Sequence, residues 1–147
     1  MIYCGYQGVG KTSYCKSHPD CIDLDSSIFV KDDGWEKDYV KHAIMLSDDG
    51  NKNVFISAHK EVIKELQKIN RDFVLIIPDE PASVWKLRLK LRYKLTKELY
   101  ALKALSDFKK NFKKDMKFYR EIHCRKILVK AIRVLTSLEE ELENEGI

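Results

Sequence analysis

Residues 5–12 read Gly5-Tyr6-Gln7-Gly8-Val9-Gly10-Lys11-Thr12, and three glycines at that spacing ahead of a lysine and a hydroxyl leave few alternatives for this stretch of chain. Glycine removes the β-carbons that would bar a tight turn, so successive backbone N–H groups can converge on an anion. Met1-Ile2-Tyr3-Cys4 before the loop is an apolar run of strand type, and Lys11 to Lys16 after it open a short helix that His18-Pro19 must end. A loop between a strand and a helix is the setting in which such a sequence cradles phosphate, with the helix N-terminus adding partial positive charge. Gly5, Tyr6, Gln7, Gly8, Val9, Gly10, Lys11, Thr12 and Ser13 are therefore the expected nucleotide contacts. Lys11 would reach the β- and γ-phosphates, and the Thr12 hydroxyl would be a magnesium ligand.

The rest of the first half alternates. Cys21-Ile22-Asp23-Leu24 reads as a second strand, Val54-Phe55-Ile56-Ser57 as a third and Phe73-Val74-Leu75-Ile76-Ile77 as a fourth, stopped by Pro78. Between them, Trp35 to Leu46 and His59 to Ile69 carry apolar residues at helical spacing. Strands alternating with helices predict a parallel sheet joined by right-handed crossovers and covered on both faces. Beyond Pro78 the sequence predicts only helix, over Ser83 to Ala104 and Phe112 to Leu142.

Asp23 and Asp25 stand two apart at the end of the second strand, so in extended chain they face the same way, toward the crevice where open α/β sheets bind ligands. The pattern allows Asp23 to hold magnesium and Asp25 to accept a proton from an attacking hydroxyl; it also allows either one to cap a following helix. The third strand ends in Ser57-Ala58-His59-Lys60 without an acidic residue, which leaves the metal contact to the Asp pair. Arg88 and Arg92, four apart, share one face of the next helix and suit a phosphate clamp, while Leu87 and Leu91 share another.

The 147 residues suffice for one domain with a real core. With no apolar run of membrane length and no leader-like start, the expectation is a cytoplasmic protein without membrane contact. Cys4, Cys15, Cys21 and Cys124 have no metal-ligand spacing and read as reduced thiols. Charge is uneven: residues 1–85 carry 10 basic and 14 acidic side chains, residues 86–133 carry 17 and 4, and residues 134–147 carry 5 acidic and none basic. The basic block 86–133 is a candidate nucleic-acid surface, but Lys109, Lys110, Lys113, Lys114 and Lys117 flank Phe112 as the solvated face of an amphipathic helix would. Few aromatics stand exposed-looking among them beyond Tyr93, Tyr100, Phe112 and Tyr119.

With these residues in place, positions 1 to about 95 resemble the small P-loop kinases, the group of nucleoside monophosphate, shikimate and gluconate kinases. Asp23-Leu24-Asp25 is similar to the Asp-x-Asp of shikimate and gluconate kinases, Ile56 to Lys60 to the segment after their third strand, and Pro78 to Arg92 to the approach to their arginine-bearing lid. The chain is also similar to short kinase-like proteins of bacteriophages and their hosts. The resemblance implies a P-loop NTPase fold of three α/β/α layers, with a short parallel sheet and a lid at about 79–95; the basic helical segment at about 97–142 of the same single domain has no counterpart in that family. It implies transfer of the γ-phosphoryl group of ATP with Mg2+ to a small acceptor, first a (deoxy)nucleoside monophosphate, with Lys11, Asp25, Arg88 and Arg92 catalytic. A sugar or metabolite acceptor, a polynucleotide 5′-hydroxyl and a non-enzymatic nucleotide-responsive module are the alternatives.

Overall fold

Ile2, Tyr3 and Cys4 are completely buried, as an apolar run at the centre of a doubly covered sheet must be. In the computed structural model, which describes residues 1–79 and 81–130, they form β1 (Ile2–Gly5). There follow α1 (Lys11–Ser17), β2 (Cys21–Asp23), a 3-10 turn (Ser26–Ile28), α2 (Trp35–Asp48), β3 (Asn53–Ser57), α3 (Lys60–Lys68) and β4 (Val74–Pro78). The described chain ends with α4 (Ala82–Thr96), α5 (Leu99–Glu121) and β5 (Arg125–Val129).

All five strands are parallel, in the order β2-β3-β1-β4-β5. β1 therefore lies between β3 and β4, with Tyr3 opposite both Phe55 and Val74. Right-handed crossovers running in opposite directions from a central strand put helices on both faces. Tyr14 of α1 packs against Phe55, which stacks on Tyr3, while α2 and α3 pack together. The expected P-loop NTPase architecture is present, and its strand order sends the chain to opposite sides beyond β1 and β3, where such sheets open a crevice.

Three expectations for the second half need correction. A fifth strand exists: Ile76 and Ile77 of β4 pair with Ile127 and Leu128, where the sequence predicted continuous helix from Phe112. That pairing buries Ile127 and Val129 against the core, which outweighs the helical periodicity of a short run. The expected continuation of that helix to Leu142 lies, beyond residue 130, outside the described residues. The helical region also breaks at Lys97, which takes a left-handed conformation with φ 56° and ends α4. Finally, of the aromatics that look exposed in sequence, Tyr119 is buried and Phe112 half-buried, the latter packed edge-on against Tyr6. α4 buries Trp85 and Leu89 and leaves Leu87 and Leu91 exposed.

Candidate nucleotide-binding and acceptor site

The loop between β1 and α1 has the geometry its glycines permit. Gly8 and Gly10 take φ of 86° and 99°, which side-chain-bearing residues rarely adopt, and Gly10 caps α1 in this conformation. A β-carbon on Gly5 would come within 2.8 Å of the Lys11 side chain. That clearance lets Lys11 fold back over the loop, where its Nζ donates to the carbonyl oxygen of Gly5 at 2.9 Å. The first-turn amides of α1, from Lys11 to Ser13, have no acceptor within their own helix.

Lys11 is desolvated by its surroundings, and this burial lowers its pKa to about 8. The carboxylates of Asp23 and Asp25 oppose the shift and Arg92 reinforces it. Arg92 also acts on Arg88, whose own pKa is lowered first by burial and then by that neighbour. Three cations thus feel one another around a glycine loop, an arrangement that a polyanion relieves.

Asp23 and Asp25 divide their work. The Thr12 hydroxyl donates to Oδ2 of Asp23 at 2.6 Å, bringing together the two residues expected to hold magnesium. Among the described residues no three His, Cys, Asp or Glu side chains cluster as a metal cage. One hydroxyl and one carboxylate fit a Mg2+ that keeps waters and takes its other ligands from nucleotide phosphates. Asp25 accepts from the backbone N–H of Ser27 at 2.9 Å and so caps the 3-10 turn, the alternative role the sequence allowed, while its charge still reaches Lys11.

α4 packs on the back of the loop. Trp85 donates from Nε1 to the carbonyl of Gln7 at 3.1 Å, and Arg88 donates from Nε to that of Gly8 at 2.8 Å. Leu89 lies so close that a β-carbon on Gly8 would stand 2.9 Å from its Cδ2. The expected clamp helix therefore grips the loop directly. Nothing in the sequence pattern separated this contact from a solvated arginine face.

Beside the loop opens a cavity of about 300 Å3 between the ends of β1 and β3, the start of α3 and one face of α5. Gly5, Gln7 and Lys11 belong both to it and to the phosphate loop. Its β3 wall is fixed by hydroxyls: Tyr39 donates to the Leu24 carbonyl at 2.6 Å and accepts from the Ser57 N–H at 3.0 Å, and Ser57 donates to Ser26 at 3.2 Å. The α5 wall holds Asp107, Asn111 and Asp115, which sequence reasoning passed over as part of a basic block. Their signal was present: an acid, an amide and an acid at intervals of four in a helix otherwise rich in lysine.

These features define an α/β protein of P-loop fold, with a glycine-rich loop between β1 and α1 and an adjoining polar cavity. No family model matches the sequence, and no curated protein does. Among solved structures, the chain is similar to a shikimate kinase from Bacteroides thetaiotaomicron, at 17% identity and a TM-score of 0.54, over 99% of this chain and 97% of that one. It is also similar to an uncharacterized protein from Eubacterium ventriosum, at 12% identity and a TM-score of 0.51, over 97% of both chains. At these identities the likeness is one of fold. Among the described residues no helix is long and apolar enough to cross a membrane.

Proposed function

We propose that this protein is a small-molecule kinase, transferring the γ-phosphoryl group of ATP to a hydroxyl of a small acceptor. The observation that carries the reading is the shared wall: Lys11 and the loop residues Gly5 to Gln7 border both the phosphate cradle and the cavity of about 300 Å3. A module that only sensed nucleotide would need no second compartment there. The fold it shares with a shikimate kinase supports the same class.

Bound ATP with Mg2+ supplies the phosphoryl group and its charge neutralisation. The chain's own residues then position and stabilise. The loop amides and Lys11 would hold the β- and γ-phosphates, and Thr12 and Asp23 would present the oxygens for a magnesium ion. Arg88 and Arg92 add positive charge around the loop, where negative charge spreads in the transition state. The acceptor oxygen bonds to the γ-phosphorus as that atom's bond to the β–γ bridging oxygen breaks, ADP departs, and Asp25 takes the hydroxyl proton before passing it to solvent. The cavity walls hold the acceptor in line, which is most of what an enzyme contributes to this reaction.

Nucleoside monophosphates, sugars and other small metabolites are the acceptors this reading admits. A coupled ADP-release assay against that panel tests it: acceptor-stimulated turnover that Lys11→Ala abolishes supports phosphoryl transfer. ATP binding without stimulation by any acceptor refutes it.

A further inference from the structure

The wall that α5 gives to the cavity has a charge at odds with the rest of the helix. Residues 86–133 carry only 4 acidic side chains, and two of them, Asp107 and Asp115, line the cavity together with Asn111. Lys109, Lys110, Lys113, Lys114 and Lys117 are all exposed. The helix thus sets Asp107 and Asp115 on its cavity side, Asp115 partly buried and Asp107 exposed, and turns these five ammonium groups to the outside.

Both carboxylates have partners that fix them. Asp107 receives hydrogen bonds on both oxygens, from Gln7 Nε2 at 3.2 Å and from Asn111 Nδ2 at 2.7 Å, so a residue of the phosphate loop itself fixes its orientation. Asp115 has a side chain only 15% exposed, and its nearest cation, Lys60, is 3.8 Å away. Burial first and Asp107 second raise the pKa of Asp115, as expected of a carboxyl short of compensating charge. Glu61 adds a third acid to the lining; against these stand Lys60 and Lys11, the latter committed to the donor phosphates, and His59, whose burial lowers its pKa, and among the described residues no arginine lines the cavity.

We infer that the acceptor is a hydroxyl-rich small molecule with no anionic group, a polyol or an amine-bearing sugar, whose donor groups Asp107 and Asp115 bind. This rests on the phosphotransfer reading above. A sugar acid or a nucleoside monophosphate would place its own negative charge against three carboxylates that line the cavity, of which Asp115 is largely buried with Lys60 only at 3.8 Å. Hydroxyl and ammonium donors instead complete the oxygens that Gln7, Asn111 and Lys60 leave available. The reaction is unchanged: the acceptor oxygen gains the phosphoryl group, ADP leaves and the proton departs through Asp25.

ADP release measured with glucosamine, glucose, gluconate and CMP, followed by wider sets of amino sugars, polyols, sugar acids and mononucleotides, tests the charge preference. The expected order in kcat/KM puts amine-bearing and neutral acceptors at least about tenfold above the anionic ones. Asp107→Asn and Asp115→Asn should raise KM for the best amine or polyol by about tenfold while leaving the Kd for ATP, read by calorimetry as a check on the fold, near the parent value. Lys60→Gln should move the ranking the other way, further against anions. Higher kcat/KM for sugar acids or mononucleotides, or a ranking untouched by all three variants, overturns the inference and leaves the kinase reading standing. Silence from every acceptor class with ATP bound overturns both.

Discussion

The Nε of Arg88 donates to the carbonyl oxygen of Gly8 at 2.8 Å, across 80 positions of sequence, and so ties α4 to the turn of the phosphate loop. Arg88 thereby shapes the cradle as well as charging it. Arg88→Lys keeps a cation but loses the planar guanidinium whose Nε makes this bond. Turnover is expected to fall by about 10² or more with ATP affinity changed far less, as for a group that acts mainly in the transition state. Comparison of kcat with the Kd for ATP checks it; an unchanged kcat removes Arg88 from the reaction.

Gly8 faces the same contact from the loop side. With φ of 86° and Leu89 Cδ2 only 2.9 Å from where a β-carbon would stand, Gly8→Ala meets both backbone strain and a clash. The left-handed conformation alone costs about 1–2 kcal/mol for a residue with a β-carbon. Leu89→Ala in the same chain relieves the clash and leaves the strain. The double variant should therefore recover only part of the melting temperature and ATP affinity lost by Gly8→Ala, and full recovery would show that the loop does not need this φ.

Lys11 gives ATP binding a pH dependence with a definite sign. Its pKa in the free protein is about 8, set mainly by burial, and phosphate oxygens favour the charged form. Above pH 8, binding must take up a proton, so the Kd for ATP should rise by up to about tenfold per pH unit until the pKa of the complex is reached. Calorimetry in buffers of different ionisation enthalpy should register that proton. Stability of the free protein runs oppositely: the unfolded lysine titrates near 10.5, so between pH 8 and 10.5 the unfolded state binds more protons and the folded state gains stability as pH rises. Lys11→Met should remove that slope from denaturation midpoints.

The Asp pair separates metal from proton. Asparagine is as good a helix cap as aspartate, so Asp25→Asn should preserve the hydrogen bond from Ser27 and the melting temperature. Turnover should nevertheless fall by about 10² or more, the scale of a lost general base. Asp23→Asn instead weakens the oxygen pair with Thr12, and its activity should need more Mg2+ for half-saturation. Two variants with the parent's rate and magnesium dependence would restrict both residues to structural roles.

The first half of this fold was legible because its signals agree: continuous apolar strands, glycine or proline punctuation and helices between them. The second half misled for reasons that particular residues show. Arg125-Lys126-Ile127-Leu128-Val129 opens with two charges, as strands at the border of a sheet often do, and follows Tyr119 and Ile122 at helical intervals. Only β4, more than 40 positions earlier, reveals it as a strand. Asp107 and Asp115 escaped because a net charge summed along sequence hides which face of α5 each side chain occupies. Lys11 and Thr12 stand out in sequence because the motif's spacing marks them, and Asp23, which the structure brings to Thr12, because it ends a strand.

The same separation of faces decides what the basic residues of α5 do. Lys109, Lys110, Lys113, Lys114 and Lys117 are exposed, while Phe108 and Met116 of the same helix are buried in the core. An amphipathic helix needs such a charged outer face for solubility alone. A backbone-tracking surface of this kind usually interleaves stacking aromatics among its cations, whereas Phe112 and Tyr119 turn toward Tyr6 and the core. The expected outcome is weak binding of a single-stranded oligonucleotide at physiological salt, with the five lysine-to-glutamine changes together leaving small-acceptor turnover unaltered. Affinity that instead falls steeply with salt, by about 0.7 in logarithmic slope for each phosphate neutralised, and that flattens in the glutamine variant, would assign α5 to nucleic acid. It would also move the acceptor from a small molecule to a polynucleotide 5′-hydroxyl, because the cavity opens along the inner face of that same helix.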